Sequence, residues 1–239
     1  MLIRTKLSQV EERILAACER SGRNRNDITI IAVTKYVSTD RANEALQNNL
    51  WHLGENRWQD ARAKWEELQQ LQHTDAHLST KPVWHFIGSL QSNKAKEVVG
   101  RFDYIHSLDR ISLAEAIQKR AEALGITVPC FIQVNVSGED SKQGIEPDQL
   151  TAFIDQLGQY SAIKPIGLMT MAPYEADPES TRPVFRALRE LRDHIQSNSG
   201  GTSPIRELSM GMSNDFEVAI EEGATWIRLG TILVGEEEE

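Results

Sequence analysis

Short apolar segments alternate with amphipathic segments along most of the chain. Residues 28–34 (ITIIAVT) form a β-branched run without polar alternation, which is typical of a strand buried on both faces of a parallel sheet. Apolar residues at helical spacing precede this run over residues 5–21. Seven further strand-like segments follow, at 51–54, 83–87, 104–106, 130–135, 166–170, 207–210 and 226–230. The pattern therefore predicts eight strands.

Segments with helical spacing separate most of the predicted strands. They cover about 56–72, 92–99, 109–124, 147–158, 178–197 and 214–222. Eight strands alternating with helices in 239 residues fit a single-domain α/β fold, a (β/α)8 barrel, better than an open doubly wound sheet. We expect the helix over 5–21 to fill the place left by the missing helix after the eighth strand. The domain should cover residues 1–235, with an acidic tail at 236–239.

Composition narrows the possible functions. The chain carries 35 acidic and 26 basic residues, a net charge of −9, which argues against a nucleic-acid-binding surface. It lacks the roughly 20 consecutive apolar residues of a membrane span and the apolar core of a signal peptide, so we expect a cytoplasmic protein. His73 and His77 lie four residues apart in a polar loop without a third ligand, and we predict no metal site.

Two loops are predicted to face a phosphate. In a (β/α)8 barrel the active site lies at the C-terminal ends of the strands, and phosphate commonly binds between the loops after strands seven and eight. Those loops read Ser209-Met-Gly-Met-Ser-Asn-Asp215 and Arg228-Leu-Gly-Thr231. Both combine glycine with hydroxyl groups, and the first leads into a predicted helix start whose N–H groups favour an anion. The alternative is that Ser213 or Asn214 only caps that helix.

Lys35 follows the first buried strand directly. It should lie at the mouth of the barrel, where partial desolvation would lower its pKa and make the amine nucleophilic toward a carbonyl. The alternative is a lysine that extends to solvent. Because the first and eighth strands are neighbours in a closed barrel, Lys35 and the two loops could face one phosphorylated aldehyde or ketone. Pyridoxal 5′-phosphate (PLP) is the commonest such cofactor.

Arg228 lies on the eighth predicted strand, just before the second loop. If PLP binds, the guanidinium is placed to meet the pyridine nitrogen and keep it unprotonated, which weakens the ring as an electron sink. The alternative, equally compatible with the spacing, is an ion pair with an acidic residue on a neighbouring helix.

Five ordered motifs resemble the YggS/PROSC family of PLP-binding proteins, also called the PLP homeostasis family. They are Ala32-Val-Thr-Lys35, Gly54-Glu-Asn56, His85-Phe-Ile-Gly88 with Gln91-Ser-Asn-Lys94, Ser209-Met-Gly-Met-Ser213 and Arg228-Leu-Gly-Thr231. The match extends from Lys35 to Gly235, which is most of the chain.

The resemblance implies a barrel similar to the N-terminal domain of alanine racemase, of fold-type III among PLP proteins. It also implies roles for individual residues: Lys35 as the Schiff-base lysine, Asn56 near it and the ring, Arg228 at the ring nitrogen, and Ser213, Gly230 and Thr231 at the phosphate with help from Ser209 and Met210. His85 corresponds to a histidine of the family, but we expect it to be a core residue.

The resemblance further implies a protein that holds PLP without robust catalysis and maintains PLP and amino-acid pools, with PLP-dependent apo-enzymes as possible acceptors. A racemase of this fold needs a second acid/base, usually a tyrosine brought by another domain, and only Tyr36 and Tyr174 could approach the site. The alternatives are a weak amino-acid racemase, a Schiff-base sugar-phosphate aldolase, or an interaction module that docks a protein through its 136–147 loop. The same loop could also close over the site as a lid. We expect a monomer.

Overall fold

The computed structural model describes residues 2–74, 81–139, 143–174 and 177–235. The predicted acidic tail at 236–239 and the side chains of His73 and His77 lie outside the described part of the chain. None of the described helices is both long enough and apolar enough to cross a membrane.

Eight parallel strands close into a barrel in the order of the sequence. The first strand pairs with the eighth, with Ala32 opposite Leu229. This confirms the predicted fold class and the number of strands. The strands are β1 (Thr29–Val33), β2 (His52–Glu55), β3 (Val83–Phe86), β4 (Tyr104–Leu108), β5 (Val128–Gln133), β6 (Ile163–Met169), β7 (Glu207–Ser209) and β8 (Trp226–Leu229).

Helices surround the barrel, and their order follows the prediction with one addition. They are α1 (Ile3–Ser21), α2 (Thr39–Gln47), α3 (Trp58–Thr74), α4 (Ala95–Val98), α5 (Ile111–Leu124), α6 (Leu150–Leu157), α7 (Arg182–Asn198) and α8 (Phe216–Glu221). Short 3-10 turns at Ser92–Lys94, Pro147–Gln149 and Pro178–Thr181 precede α4, α6 and α7. These turns account for the first residues of three predicted helices.

Helix α1 completes the outer ring between α8 and α2. Arg13 of α1 pairs with Glu217 of α8 at 2.7 Å, and the N–H of Ile3 donates to Oε1 of Glu44 in α2 at 2.9 Å. The predicted position of the first helix, in place of a helix after the last strand, is therefore confirmed.

The sequence analysis missed α2. Its buried face consists of Ala42, Ala45 and Leu46, so two of the three core positions are alanines and the periodic apolar signal is weak. The helix start did carry a signal, because the Ser38 hydroxyl accepts a hydrogen bond from the N–H of Arg41 at 3.2 Å in the manner of an N-cap.

Candidate functional site

A pocket of about 510 Å3 opens at the C-terminal mouth of the barrel, which we define as the end formed by the carboxyl termini of the strands. The lining side chains come from loops that follow strands on both sides of the β1–β8 seam. They include Lys35, Asn56, Ser213, Arg228, Gly230 and Thr231. The structure thus brings together six of the residues that the sequence analysis selected; their contact with a ligand stays a prediction.

Ser209 and Met210, which were also selected, lie beneath the pocket. Both are fully buried, and neither belongs to its lining. The N–H of Met210 already donates to the carbonyl of Trp226 at 3.1 Å. Because β7 ends at Ser209, that side chain enters the barrel interior and the open loop begins only at Gly211. The geometry therefore gives no support to a direct phosphate contact from either residue.

The lysine at the end of β1 is half-buried and faces the pocket. The Nζ of Lys35 lies 4.8 Å from the centroid of the Tyr36 ring, within the range of a cation–π contact. Tyr36 is itself 73% exposed. Tyr174 also lines the pocket and is 83% exposed.

A buried polar cluster ties the ends of β1 and β2 together behind Lys35 and Asn56. The Thr34 hydroxyl donates to Oε1 of Glu55 at 2.6 Å, and the Nζ of Lys64 donates to the same oxygen at 2.8 Å. Lys64 also donates to the Thr34 carbonyl. All three residues are at least nine-tenths buried, so their exchange of hydrogen bonds fixes the strand ends that carry the pocket residues.

The loops after β7 and β8 are joined to each other. The N–H of Gly230, in the loop after β8, donates to the Ser213 hydroxyl, in the loop after β7, at 3.2 Å. Within the loop after β7, the N–H of Met212 donates to Oδ1 of Asp215 at 2.6 Å. The backbone N–H groups of Ser213 and Thr231 have no hydrogen-bond partner in the described part of the chain. Two main-chain donors thus remain for a group bound at the loops.

Arg228 is 4% exposed and forms no ion pair with a carboxylate among the described residues. Its Nη1 donates to the Oγ of Ser209 at 2.7 Å, and its Nη2 donates to the Thr170 carbonyl at 3.0 Å. Burial lowers the pKa of Arg228 to about 10, so the group stays cationic at neutral pH. Burial also raises the pKa of Asp215. The ion pair considered as an alternative from sequence is therefore not found in this part of the chain.

Three histidines inside the barrel connect to Arg228 through Ser209. The Nδ1 of His106 lies 2.9 Å from the Oγ of Ser209, and hydrogen-bond distances of 3.0 and 2.9 Å then join His106 to His85 and His85 to His52. His85 is a core residue as predicted, whereas His52 and His106 were not selected. The available signal was the recurrence of histidine within three successive strand segments, WHL, WHF and IHS.

Known proteins share both the sequence and the fold. The family model for the alanine racemase N-terminal domain matches residues 6–238. A relative from Aquifex aeolicus, named pyridoxal phosphate homeostasis protein, is 46% identical over 97% of this chain and 96% of its own length. The chain belongs to the pyridoxal phosphate homeostasis protein family. The resemblance stated from the sequence motifs is thereby confirmed.

Solved structures agree with the membership in the pyridoxal phosphate homeostasis protein family. PipY of Synechococcus elongatus, solved with PLP bound, is 36% identical, with a TM-score of 0.78 over 95% of this chain and 100% of PipY. Alanine racemase of Clostridium difficile is 17% identical, with a TM-score of 0.69 over 100% of this chain and 57% of the racemase. The second likeness shows the shared barrel fold alone.

Proposed function

We propose that this protein binds PLP in the pocket at the C-terminal mouth and holds it for the cell's PLP pool, without efficient turnover of a substrate. The observation that carries this proposal is the content of one pocket: a lysine, a buried arginine with no carboxylate partner among the described residues, and two joined loops whose Ser213 and Thr231 N–H groups are unpaired within the same part of the chain. The PLP bound in PipY supports the same ligand.

The residues present fit PLP at each end. A phosphate needs N–H and O–H donors, and the Ser213 and Thr231 loops supply both. A β-carbon at Gly230 would meet only Val33, at 3.8 Å, so the loop leaves open space where the phosphate would lie. Bound PLP supplies an aldehyde that condenses with a lysine amine, and Lys35 is the lysine among the described lining residues.

Arg228, if it meets the pyridine nitrogen, would make the pocket unsuited to strong electron withdrawal by a bound ring. A guanidinium beside the pyridine nitrogen donates a hydrogen bond and does not give up its proton, so the nitrogen stays unprotonated. A ring in that state stabilises negative charge poorly during bond breaking at an amino acid. The arrangement favours retention of the cofactor over catalysis.

The two tyrosines that could serve as a second acid/base are not held in place near Lys35. The phenols of Tyr36 and Tyr174 are exposed and have no hydrogen-bond partner in the described part of the chain that would orient them. General acid–base catalysis depends on such orientation. The racemase alternative therefore lacks a supporting observation. The aldolase alternative requires a second lysine or an acid near Lys35; the described lining provides no second lysine, and the carboxylate of Asp215 in that lining already accepts a hydrogen bond from the N–H of Met212.

The remaining expectations concern the setting of the protein. We expect the protein to act as a monomer, because the described part of the chain has no second domain that a partner would have to bring to the site. We expect it to act in the cytoplasm and to pass PLP to apo-enzymes that require it. Docking of a partner through the 136–147 loop stays a prediction. Gln143 of this loop is among the described residues that line the pocket.

The decisive experiment is a visible absorption spectrum of the purified protein with PLP added, followed by borohydride reduction and peptide mass mapping. We expect a reducible adduct at Lys35 in the wild type and in Lys164→Ala, a matched control that alters an exposed lysine on β6, and none in Lys35→Ala. Added L-alanine should yield no D-alanine above the rate with free PLP. A colourless protein, or an equal adduct in Lys35→Ala, would overturn the proposal.

A further inference from the structure

A continuous chain of side chains crosses the interior of the barrel. It begins at His52, which is half-buried at the start of β2, and passes through His85 and His106, which are fully buried. It then reaches Ser209 and ends at Arg228 in the pocket, with every step between 2.7 and 3.0 Å. The residues of this histidine chain come from β2, β3, β4, β7 and β8, and none of the proposed ligand roles uses the three imidazoles.

The end at Arg228 imposes a direction on all the hydrogen bonds. A guanidinium can only donate, so the Oγ of Ser209 accepts from Arg228. The Ser209 hydroxyl proton then needs an acceptor, and the Nδ1 of His106 is the one within reach among the described residues. His106 must therefore carry its proton on Nε2, from which it donates to the Nδ1 of His85.

The same reasoning continues to the far end of the chain. With its Nδ1 accepting, His85 carries its proton on Nε2 and donates to the Nδ1 of His52. In the reverse arrangement each imidazole would donate toward Ser209. The buried Ser209 hydroxyl proton would then have no acceptor, which is a costly state for a polar group inside a protein. The forward direction satisfies every polar atom of the histidine chain except the outermost nitrogen of His52.

Aromatic neighbours hold the imidazole rings in place without competing for their protons. Tyr104 stacks on His85 at 4.7 Å, and Phe131 stacks on His106 at 4.3 Å between ring centroids. Trp226 packs beside the same rings, but its indole N–H donates to Glu207. The rings are thus fixed by packing, and their protons are ordered by the hydrogen bonds of the chain.

We propose that His106, with His85 and His52 behind it, is a positioning residue that aims the Arg228 guanidinium at the ligand ring. It acts through the Ser209 hydroxyl, whose lone pair it turns toward Arg228 by accepting the hydrogen bond that the hydroxyl donates. His52 contributes from the opposite end of the barrel, because its Nδ1 accepts the last hydrogen bond, from His85, and so completes the single direction. The effect on a bound ring rests on the proposed function, whereas the proton arrangement does not.

The first test uses 15N NMR of the ligand-free protein at neutral pH, with imidazole nitrogens labelled. Nitrogen shifts distinguish a protonated from an unprotonated ring nitrogen. We expect Nδ1 to be unprotonated and Nε2 protonated in His52, His85 and His106. A protonated Nδ1 in His106, or averaged tautomers in the buried pair, would overturn the proposal whether or not PLP binds.

Variants at the two ends of the histidine chain test its effect on Arg228. Ser209→Ala should abolish the single tautomer at His106, weaken PLP binding about tenfold and shift its visible band, and Ser209→Thr should restore all three. His52→Phe removes the far acceptor, whereas His52→Asn keeps an oxygen near the Nδ1 position. Because His52 is only half-buried, these variants should fold.

The outcomes separate the two proposals. We expect His52→Phe to disturb the His85 and His106 signals and the PLP spectrum, and His52→Asn to disturb them less. If His52→Phe matches the wild type in both readouts, the residues do not act as a unit and the positioning role is wrong. If the wild type shows the expected tautomers and binds no PLP, the proposed function fails while the proton arrangement stands.

Discussion

Arg228 donates a 2.7 Å hydrogen bond to the hydroxyl of Ser209, which lies beneath the pocket. The two residues were selected from the sequence for direct ligand contact, but in the structure only Arg228 lines the pocket. Arg228 reaches the pocket, whereas Ser209 is fully buried and also contacts His106. Ser209 therefore supports the arginine from below. A motif residue can thus act on a ligand through its neighbour, and substitution effects at Ser209 and Arg228 should be coupled.

Gly88 and Gly230 should be required for different reasons, the first for the stability of the fold and the second for PLP binding. A β-carbon at Gly88 would lie 2.2 Å from the Asn56 carbonyl oxygen, whereas one at Gly230 would meet only Val33, at 3.8 Å. We predict that Gly230→Ala changes the free energy of unfolding by less than about 0.5 kcal/mol, yet lowers PLP affinity at least about tenfold because the methyl group enters the phosphate space. Gly88→Ala should cost about 2 kcal/mol or more in stability.

Urea denaturation and PLP titration measure the two effects separately. Unchanged PLP affinity in Gly230→Ala would mean that the phosphate does not approach this loop. Equal stability of Gly88→Ala and wild type would show that the ends of β2 and β3 shift freely, contrary to the close approach at Asn56.

Replacing Lys64 alone should destabilise the protein far more than replacing Lys64 and Glu55 together. Lys64→Met leaves the Glu55 carboxylate buried without its cation, which typically costs about 3–5 kcal/mol. The double variant Lys64→Met with Glu55→Gln should recover much of that loss, since a neutral amide oxygen still accepts from Thr34. A double-mutant cycle by urea denaturation gives the coupling.

A surface pair provides the control for this cycle. Arg62 and Glu66 lie four residues apart on α3 and are largely exposed, so Arg62→Ala should have little measurable effect. If Lys64→Met destabilises the protein no more than Arg62→Ala does, the carboxylate of Glu55 is accommodated without its partner and the cluster does not fix the strand ends.

Much of the barrel was predictable because its strands are short β-branched or apolar runs between helical segments. Residues such as Ile30 and Ile31 identify β1 without reference to any neighbour. Helix α2 escaped because small alanines form most of its buried face. The close pairing of Lys64 with Glu55 escaped as well, since lysine and glutamate on an amphipathic helix and a strand end are ordinarily read as exposed.

The pocket lining was predictable where a residue closely follows a strand end, as for Lys35 and Thr231, which both line the pocket. Ser209 shows where this reasoning stops: a motif places a residue at the end of a strand, but the register and length of β7 decide whether its side chain faces the loop or the interior. The histidine chain depends on the stagger of β2, β3 and β4 around the barrel, which no local pattern in the sequence specifies.

The hydroxyls of Ser213 and Thr231 and the main-chain N–H groups of their loops should all contribute to retention of PLP. Ser213→Ala removes a potential phosphate donor and the link to the Gly230 N–H. Thr231→Ala removes only a hydroxyl. We predict about fivefold to tenfold faster PLP release for either variant, with the larger effect in Ser213→Ala, because main-chain donors remain. Release is followed as transfer of PLP to an excess of an apo-enzyme.

Thr202→Ala, in the exposed segment before β7, is the matched control and should release PLP at the wild-type rate. Complete loss of PLP from Ser213→Ala would show that one hydroxyl carries the phosphate alone. Wild-type rates in both Ser213→Ala and Thr231→Ala would place the phosphate elsewhere.

Stability should fall on mild acidification because of the buried histidines. Desolvation holds the pKa values of His85 and His106 well below 6.5 in the folded protein, whereas the unfolded chain takes up protons near pH 6.5. The unfolded state therefore binds more protons as the pH falls below that value. The free energy of unfolding should decrease by up to about 1.4 kcal/mol per pH unit for each histidine.

Urea denaturation between pH 7.5 and about 5.5 measures this slope above the range in which most carboxylates titrate. His106→Gln should lower the slope by up to one proton. A flat profile in the wild type would mean that the folded protein takes up the same protons, which is incompatible with a neutral histidine chain.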